Sequence, residues 1–194
     1  MVCLLGCEKI TDIPYKFFEH AESITDVSDL FAGCTGLTEI TNDLLIPFNV
    51  NRLDRMFKSC TNLEINNMQL TTYNKIVSAV ELFSNCINLI ALPENFKLSN
   101  IIINFSGFCF NCQNLETIPL SFWPSTFFLA NTITLTNAFN TNSDILSATL
   151  PSNKLWNDTR ILWSAQNAFY NPAGNIIDET GMIPVVNNWF RYEK

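Results

Sequence analysis

Leu82-Phe83-Ser84-Asn85-Cys86-Ile87-Asn88-Leu89-Ile90-Ala91-Leu92-Pro93 is one copy of a unit that recurs on both sides of it. Aligned on the cysteine, the same pattern runs through Leu30, Phe31, Cys34, Leu37 and Ile40, then Met56, Phe57, Cys60 and Leu63, then Phe108, Cys112, Leu115, Ile118 and Pro119. The cysteines fall at 34, 60, 86 and 112, so the interval is 26 residues each time. A fixed period of this size marks stacked supersecondary units, because one unit alone cannot bury its apolar face. The expected architecture is a solenoid.

Outward from the cysteine, whole columns are in register. Ile24, Val50, Ile76 and Ile102 share one slot, and Val27, Leu53, Ala79 and Phe105 share the next. Leu30, Met56, Leu82 and Phe108 form a third; Leu37, Leu63, Leu89 and Leu115 follow the cysteines. Apolar residues at mostly every third position fit neither an alternating strand nor a long helix. The spacing predicts a short helical or 3₁₀ turn over residues 28–32, then a corner, then a short strand over residues 37–40. Pro93 and Pro119 would end their strands, where a missing N–H is tolerated. Gly36, Asn62, Asn88 and Asn114 precede the leucine column, a place suited to a turn conformation.

Residues 24–119 hold the strict repeat, and residues 1–23 read as an incomplete first coil, since Cys7, Ile10, Ile13 and Pro14 match only its second half. That start implies an open end, one completed by another chain, or a trimmed coil. Residues 120–151 form a looser repeat, because Asn137-Ala138-Phe139 and Asn167-Ala168-Phe169 lie thirty apart. Strict counting then puts Asn142 and Pro172 in the cysteine slot. Residues 152–194 read as a terminal coil and cap. The result is one domain of about seven coils, with a strand ladder of roughly 30 Å at about 4.8 Å per step.

With 18 acidic residues against 11 basic ones the net charge is -7, which disfavours nucleic acid, whose phosphates require clustered cations. No apolar run is long enough for a transmembrane helix. Leu4-Leu5-Gly6-Cys7 looks like a lipoprotein cleavage box, yet only three residues precede it, so the repeat explains Cys7 better. No signal peptide is visible, and synthesis in the cytoplasm is expected.

Chemistry is scarce. Cysteines in a column would stand about 5 Å apart in a line, whereas zinc needs four ligands converging on one point. They are expected to be buried and reduced, and Cys34, Cys60 and Cys86 to resist thiol reagents. Cys109-Phe110-Asn111-Cys112 has redox-motif spacing but lies within a repeat. His20, the single histidine, reads as a solvated side chain. Phe17, Phe96 and Phe122 each lie three residues after a repeat proline, as core residues would. Trp123, Trp156 and Trp163 read as cap residues or interface anchors. No catalytic, metal or cofactor residue is assigned.

The Leu/Met-Phe-x-x-Cys-x-Asn/Gly-Leu-x-x-Ile-Pro pattern resembles the BspA-type leucine-rich repeat family of bacterial surface proteins and lipoproteins. Departures are Cys109 for Phe, Asn66 for a strand-end aliphatic residue, and the missing cysteine in the last two coils. The resemblance implies a right-handed α/β solenoid of short parallel strands opposite turns or short helices, acting as an adhesin or protein-binding surface. A second, weaker likeness, carried by Leu155-Trp156 through Trp163 and by Asn167-Ala168-Phe169, is to repeat proteins of phage virions and tails. The expected role is a non-catalytic interaction module on a virion or cell surface, binding a protein or glycan or decorating an assembly, with homo- or hetero-oligomers through the first coil. The alternatives are an intracellular protein-binding scaffold and a hydrolase embedded in the solenoid. Binding would use the variable strand positions Thr38, Glu39, Glu64, Ile65, Ile90, Ala91, Glu116 and Thr117.

Overall fold

The computed structural model describes residues 4–40, 44–64, 70–71, 75–92, 96–97, 99–124, 132–143, 146–150, 162–170, 176–178 and 190–191. The apolar columns are buried together. Val27, Leu53, Ala79 and Phe105, the four repeat cysteines and the four leucines after them are all fully inaccessible. Phe96 and Phe122 belong to the same core, whereas Phe17 is half-buried against Phe18 and Phe31.

Successive repeats are joined by backbone hydrogen bonds in parallel register. Asp26 bridges Arg52, Arg52 bridges Ser78, and Ser78 bridges Asn104 at 26-residue steps. Beyond them the step becomes 30, as Asn104 bridges Thr134 and Phe139 bridges Phe169. The named strands are short and pair only in parallel: β1 (Leu44–Leu45) with β2 (Leu70–Thr71), and β3 (Thr117–Ile118) with β5 (Ser147–Leu150), which pairs in turn with β8 (Ile176–Asp178). Likewise β4 (Thr132–Thr134) pairs with β6 (Leu162–Ser164), and β7 (Phe169–Tyr170) with β9 (Phe190–Arg191). The four extra residues enter between β3 and β4. There Pro119 ends β3 and a 3₁₀ turn, Leu120–Phe122, delivers Phe122 and Trp123 into the core.

The segment expected to be a helical turn is built differently. Residues 27–34 form hydrogen-bonded turns, Leu30 N–H to the Val27 carbonyl, Ala32 to Asp29 and Cys34 to Phe31. Their third residues include Asp29 (φ 59°) and Gly33 (φ 72°), whose left-handed backbone marks type II turns. Between these bonds, every second N–H is turned outward along the stack. Val27, Asp29, Phe31 and Gly33 donate to the carbonyls of Arg52, Asp54, Met56 and Lys58 in the next repeat. Leu53, Arg55, Phe57 and Ser59 do the same to Ser78, Val80, Leu82 and Ser84, and Ala79, Glu81, Phe83 and Asn85 to Asn104, Ser106, Phe108 and Phe110. An α-helix spends its amides internally and would have none to give its neighbour. The left-handed column Asp29, Arg55, Glu81, Gly107, Asn137 and Asn167 is what this ladder requires.

The cysteines fit this scheme. Phe31, Phe57 and Phe83 carbonyls each accept two bonds: one from the N–H of the cysteine three residues on, and one from the thiol of the next repeat's cysteine. Cys60, Cys86 and Cys112 Sγ lie 3.1, 3.0 and 3.0 Å from those oxygens. A carbonyl has two lone pairs, and a thiol is a small buried group that can donate weakly. Behind them, Phe31, Phe57 and Phe83 stack at 5.5 and 5.6 Å with rings within 9° of parallel. The next member of that column is Cys109; Phe108, from the neighbouring column, turns edge-on to Phe83 and packs on Phe96, Phe122 and Phe139. Met56-Phe57 and Phe108-Cys109 thus exchange bulk between adjacent slots, the kind of volume-conserving swap cores tolerate.

Asn142 departs from its expected cysteine slot. With φ 59° it extends the left-handed asparagines Asn85 and Asn111, donating its amide to Asn111 Oδ1 at 2.9 Å as Asn111 does to Asn85 at 2.8 Å. The buried residue beside it is Ser143, whose hydroxyl donates to the Leu115 carbonyl. Pro172, Pro93, Asn66 and Trp156 lie outside the described residues.

Candidate functional site

The variable strand positions do come together. Thr38 N–H donates to the Thr11 carbonyl, Glu64 to Thr38 and Glu116 to Ile90, so these residues bond between neighbouring repeats at both ends of the row, while among the described residues no main-chain bond joins Glu64 to Ile90. Ala91 bridges Thr117 in the adjoining position, and Thr117 opens β3. Thr38, Glu39, Glu64, Glu116 and Thr117 are exposed, while Ile90 and Ala91 are half-buried. Ile65 lies outside the described residues. The buried neighbours Leu37, Leu63, Leu89 and Leu115 hold this row in place from beneath.

Charge is divided between this row and the turn ladder. On the ladder, Arg55 grips Asp29 in a two-pronged pair at 2.7 and 2.6 Å, Lys58 pairs with Glu81 at 2.7 Å, and Arg52 reaches Asp54 at 2.5 Å. The Asp29 hydrogen bond raises the Arg55 guanidinium further above its ordinary value. Asp54 is buried and satisfied, since Ser78 Oγ and the Val80 N–H also donate to it. Two of these pairs, Arg55 with Asp29 and Lys58 with Glu81, join adjacent repeats and engage the left-handed residues Asp29, Arg55 and Glu81. Glu39, Glu64 and Glu116 on the strand row form no ion pair among the described residues.

The thiols belong to the packing. Burial pushes Cys60 up to about 12 and Cys86, Cys109 and Cys112 upward as well, so these sulfurs are held as thiols and not as nucleophilic thiolates. His20 is exposed. Among the described residues no group of three or more His, Cys, Asp or Glu is placed to hold a metal ion, and no helix is long and apolar enough to cross a membrane.

The signal that spacing alone missed is the left-handed residue before each cysteine. Gly33, Ser59, Asn85 and Asn111 have positive φ, and three of the four are Gly or Asn. Asn62 lies in the expected turn, closed by the Leu63 N–H to the Cys60 carbonyl, and donates its side-chain amide to the Thr35 carbonyl of the preceding repeat.

No family model matches the chain, and no curated protein matches it. Among solved structures it is similar to a leucine-rich repeat protein from Bacteroides ovatus ATCC 8483, with 18% identity and a TM-score of 0.29. That match covers 92% of this chain, which spans 66% of the other protein's length.

Proposed function

We propose that the chain is a right-handed, leucine-rich-repeat-like solenoid of about seven coils, and that it works as a non-catalytic module binding a protein through its strand row. The observation that carries this reading is the division of charge. The turn ladder neutralises its own charges, whereas the strand row offers Glu39, Glu64 and Glu116 without a basic partner among the described residues. A rigid row anchored by buried leucines loses little entropy on binding. Its exposed carboxylates favour a partner with a basic face and speed its approach. Display on a virion or bacterial surface follows from the repeat resemblance, and is the setting proposed for this role.

The test compares two charge-reversed proteins of equal net charge. One carries Glu39→Lys, Glu64→Lys and Glu116→Lys; the other carries Asp26→Lys, Asp29→Lys and Glu81→Lys on the turn ladder. With lysozyme as a small basic probe at low salt, the first set is expected to abolish association and the second to retain it in whatever fraction remains folded. Equal loss in both would reduce the interaction to net charge and contradict a strand-row site.

A further inference from the structure

The first two repeats are zipped together on both flanks of a gap. Asn51 N–H bonds the Thr25 carbonyl and Val27 N–H the Arg52 carbonyl on one side; Glu64 and Thr38 continue the strand row on the other. Between these lies a pocket of about 760 Å³, with residues 15–22 of the first repeat on one wall and residues 44–49 of the second on the other. On the far side of residues 44–49, β1 pairs with β2 of the next repeat, and this sheet has two strands among the described residues. On the pocket side no strand among the described residues pairs with β1. The first repeat folds its own backbone into turns, Phe17 N–H to the Pro14 carbonyl, Glu19 to Lys16 and Ala21 to Phe18. Among the described residues, no main-chain hydrogen bond joins Leu44, Leu45 or Ile46 to the first repeat. That edge of β1 is unpaired among the described residues.

The lining suits an apolar strand laid against that edge. Tyr15, Leu45 and Phe48 are 68, 49 and 54% exposed, three of the six exposed large apolar residues among those described, and all three face this one cavity. The Asn49 amide closes one end on the Glu22 carbonyl. Lys16 is engaged by Glu19 at 2.7 Å, which leaves Glu22 as the rim carboxylate without an ion pair among the described residues. Lys75, 3.5 Å from the centroid of Phe48, comes from the following repeat and is not part of the lining.

We propose that this pocket accepts an extended peptide segment of a partner protein, which adds to the free edge of β1 as a strand, seats apolar side chains against Tyr15 and Phe48, and brings a basic residue to Glu22. Edge addition of this kind draws affinity from main-chain bonds and specificity from alternate side-chain pockets. The site is separate from the acidic strand row and does not depend on it.

The experiment uses a fluorescein-labelled octapeptide alternating valine and threonine with a lysine at each end, and the same peptide N-methylated at alternate residues. Fluorescence anisotropy is expected to show saturable binding of the first below about 1 mM. The methylated peptide, unable to pair on one edge, is expected to bind at least ~10-fold more weakly. Tyr15→Ala and Phe48→Ala, both at exposed positions, should each weaken binding by ~5-fold or more. Glu64→Lys with Glu116→Lys on the strand row should leave it unchanged. Absence of saturable binding, equal binding of the two peptides, or full binding by Phe48→Ala protein of unchanged melting temperature would overturn the proposal.

Discussion

At the scale of single residues, the repeat cysteine is a packing group with one directional bond. Its buried thiol supplies the second donor to a phenylalanine carbonyl of the preceding repeat. Cys60→Ala is therefore expected to cost about 1–2 kcal/mol in denaturant unfolding, through a small void and a carbonyl bond lost. Cys60→Val adds volume and crowds its packed neighbours, at about 1–3 kcal/mol. In native protein, a thiol reagent should leave Cys34, Cys60, Cys86, Cys109 and Cys112 unlabelled, all being buried, and should label them on unfolding. The alkaline side of the stability curve follows from the same burial. The folded Cys60 thiol is raised from an ordinary value of 9.0 to about 12, so the unfolded chain ionises first. Its contribution is complete below pH 9 and is lost as pH rises from there toward 12. A Cys60→Ala protein should lose stability less steeply across that window. The left-handed asparagines offer a second test. Asn111→Val loses the amide bonds to Asn85 and Asn142 and strains a positive φ, costing about 2–4 kcal/mol, while Asn111→Gly loses the bonds alone, about 1 kcal/mol.

At the scale of elements, much of the repeat was legible and its turn was not. The apolar columns could be read because a three-residue spacing recurs 26 residues on, and each of their fully buried members lies where that count puts it. A helical turn and a run of hydrogen-bonded turns share that spacing, so the pattern alone does not separate them. What separates them is a positive φ at two positions in each strict repeat, four residues apart. Gly33, Asn85 and Asn111 carried that signal, but Asp29, Arg55 and Glu81 are charged residues that seldom announce a left-handed backbone; the amide ladder requires it of them, and their side chains pair across repeats. Gly36 lies in the turn its position predicts, closed by the Leu37 N–H to the Cys34 carbonyl, and it also permits a close approach that spacing does not reveal. A Cβ there would lie 1.9 Å from the Glu8 carbonyl oxygen. Gly36→Ala is expected to push the first repeat off the second. Hydrogen exchange should then show the Thr38 amide, which bonds Thr11 across this junction, losing protection while the Phe57 amide keeps it.

At the scale of the whole molecule, the exposed strand row was legible because its residues are the gaps between buried columns. The pocket was not, since residues 15–22 and 44–49 lie off the strict columns and their meeting depends on how the first repeat turns. The two faces also divide their labour. One bonds repeat to repeat through alternating amides and ion pairs; the other presents carboxylates without partners among the described residues. Everything rests on that first bonding scheme. It is tested most directly by NMR couplings across hydrogen bonds, measured between amide nitrogens and carbonyl carbons in the isotopically labelled protein. The account predicts couplings from Leu53 to Ser78, Arg55 to Val80, Phe57 to Leu82 and Ser59 to Ser84, each spanning 25 residues. Couplings from these amides to carbonyls four residues earlier, as in a helix, would contradict it.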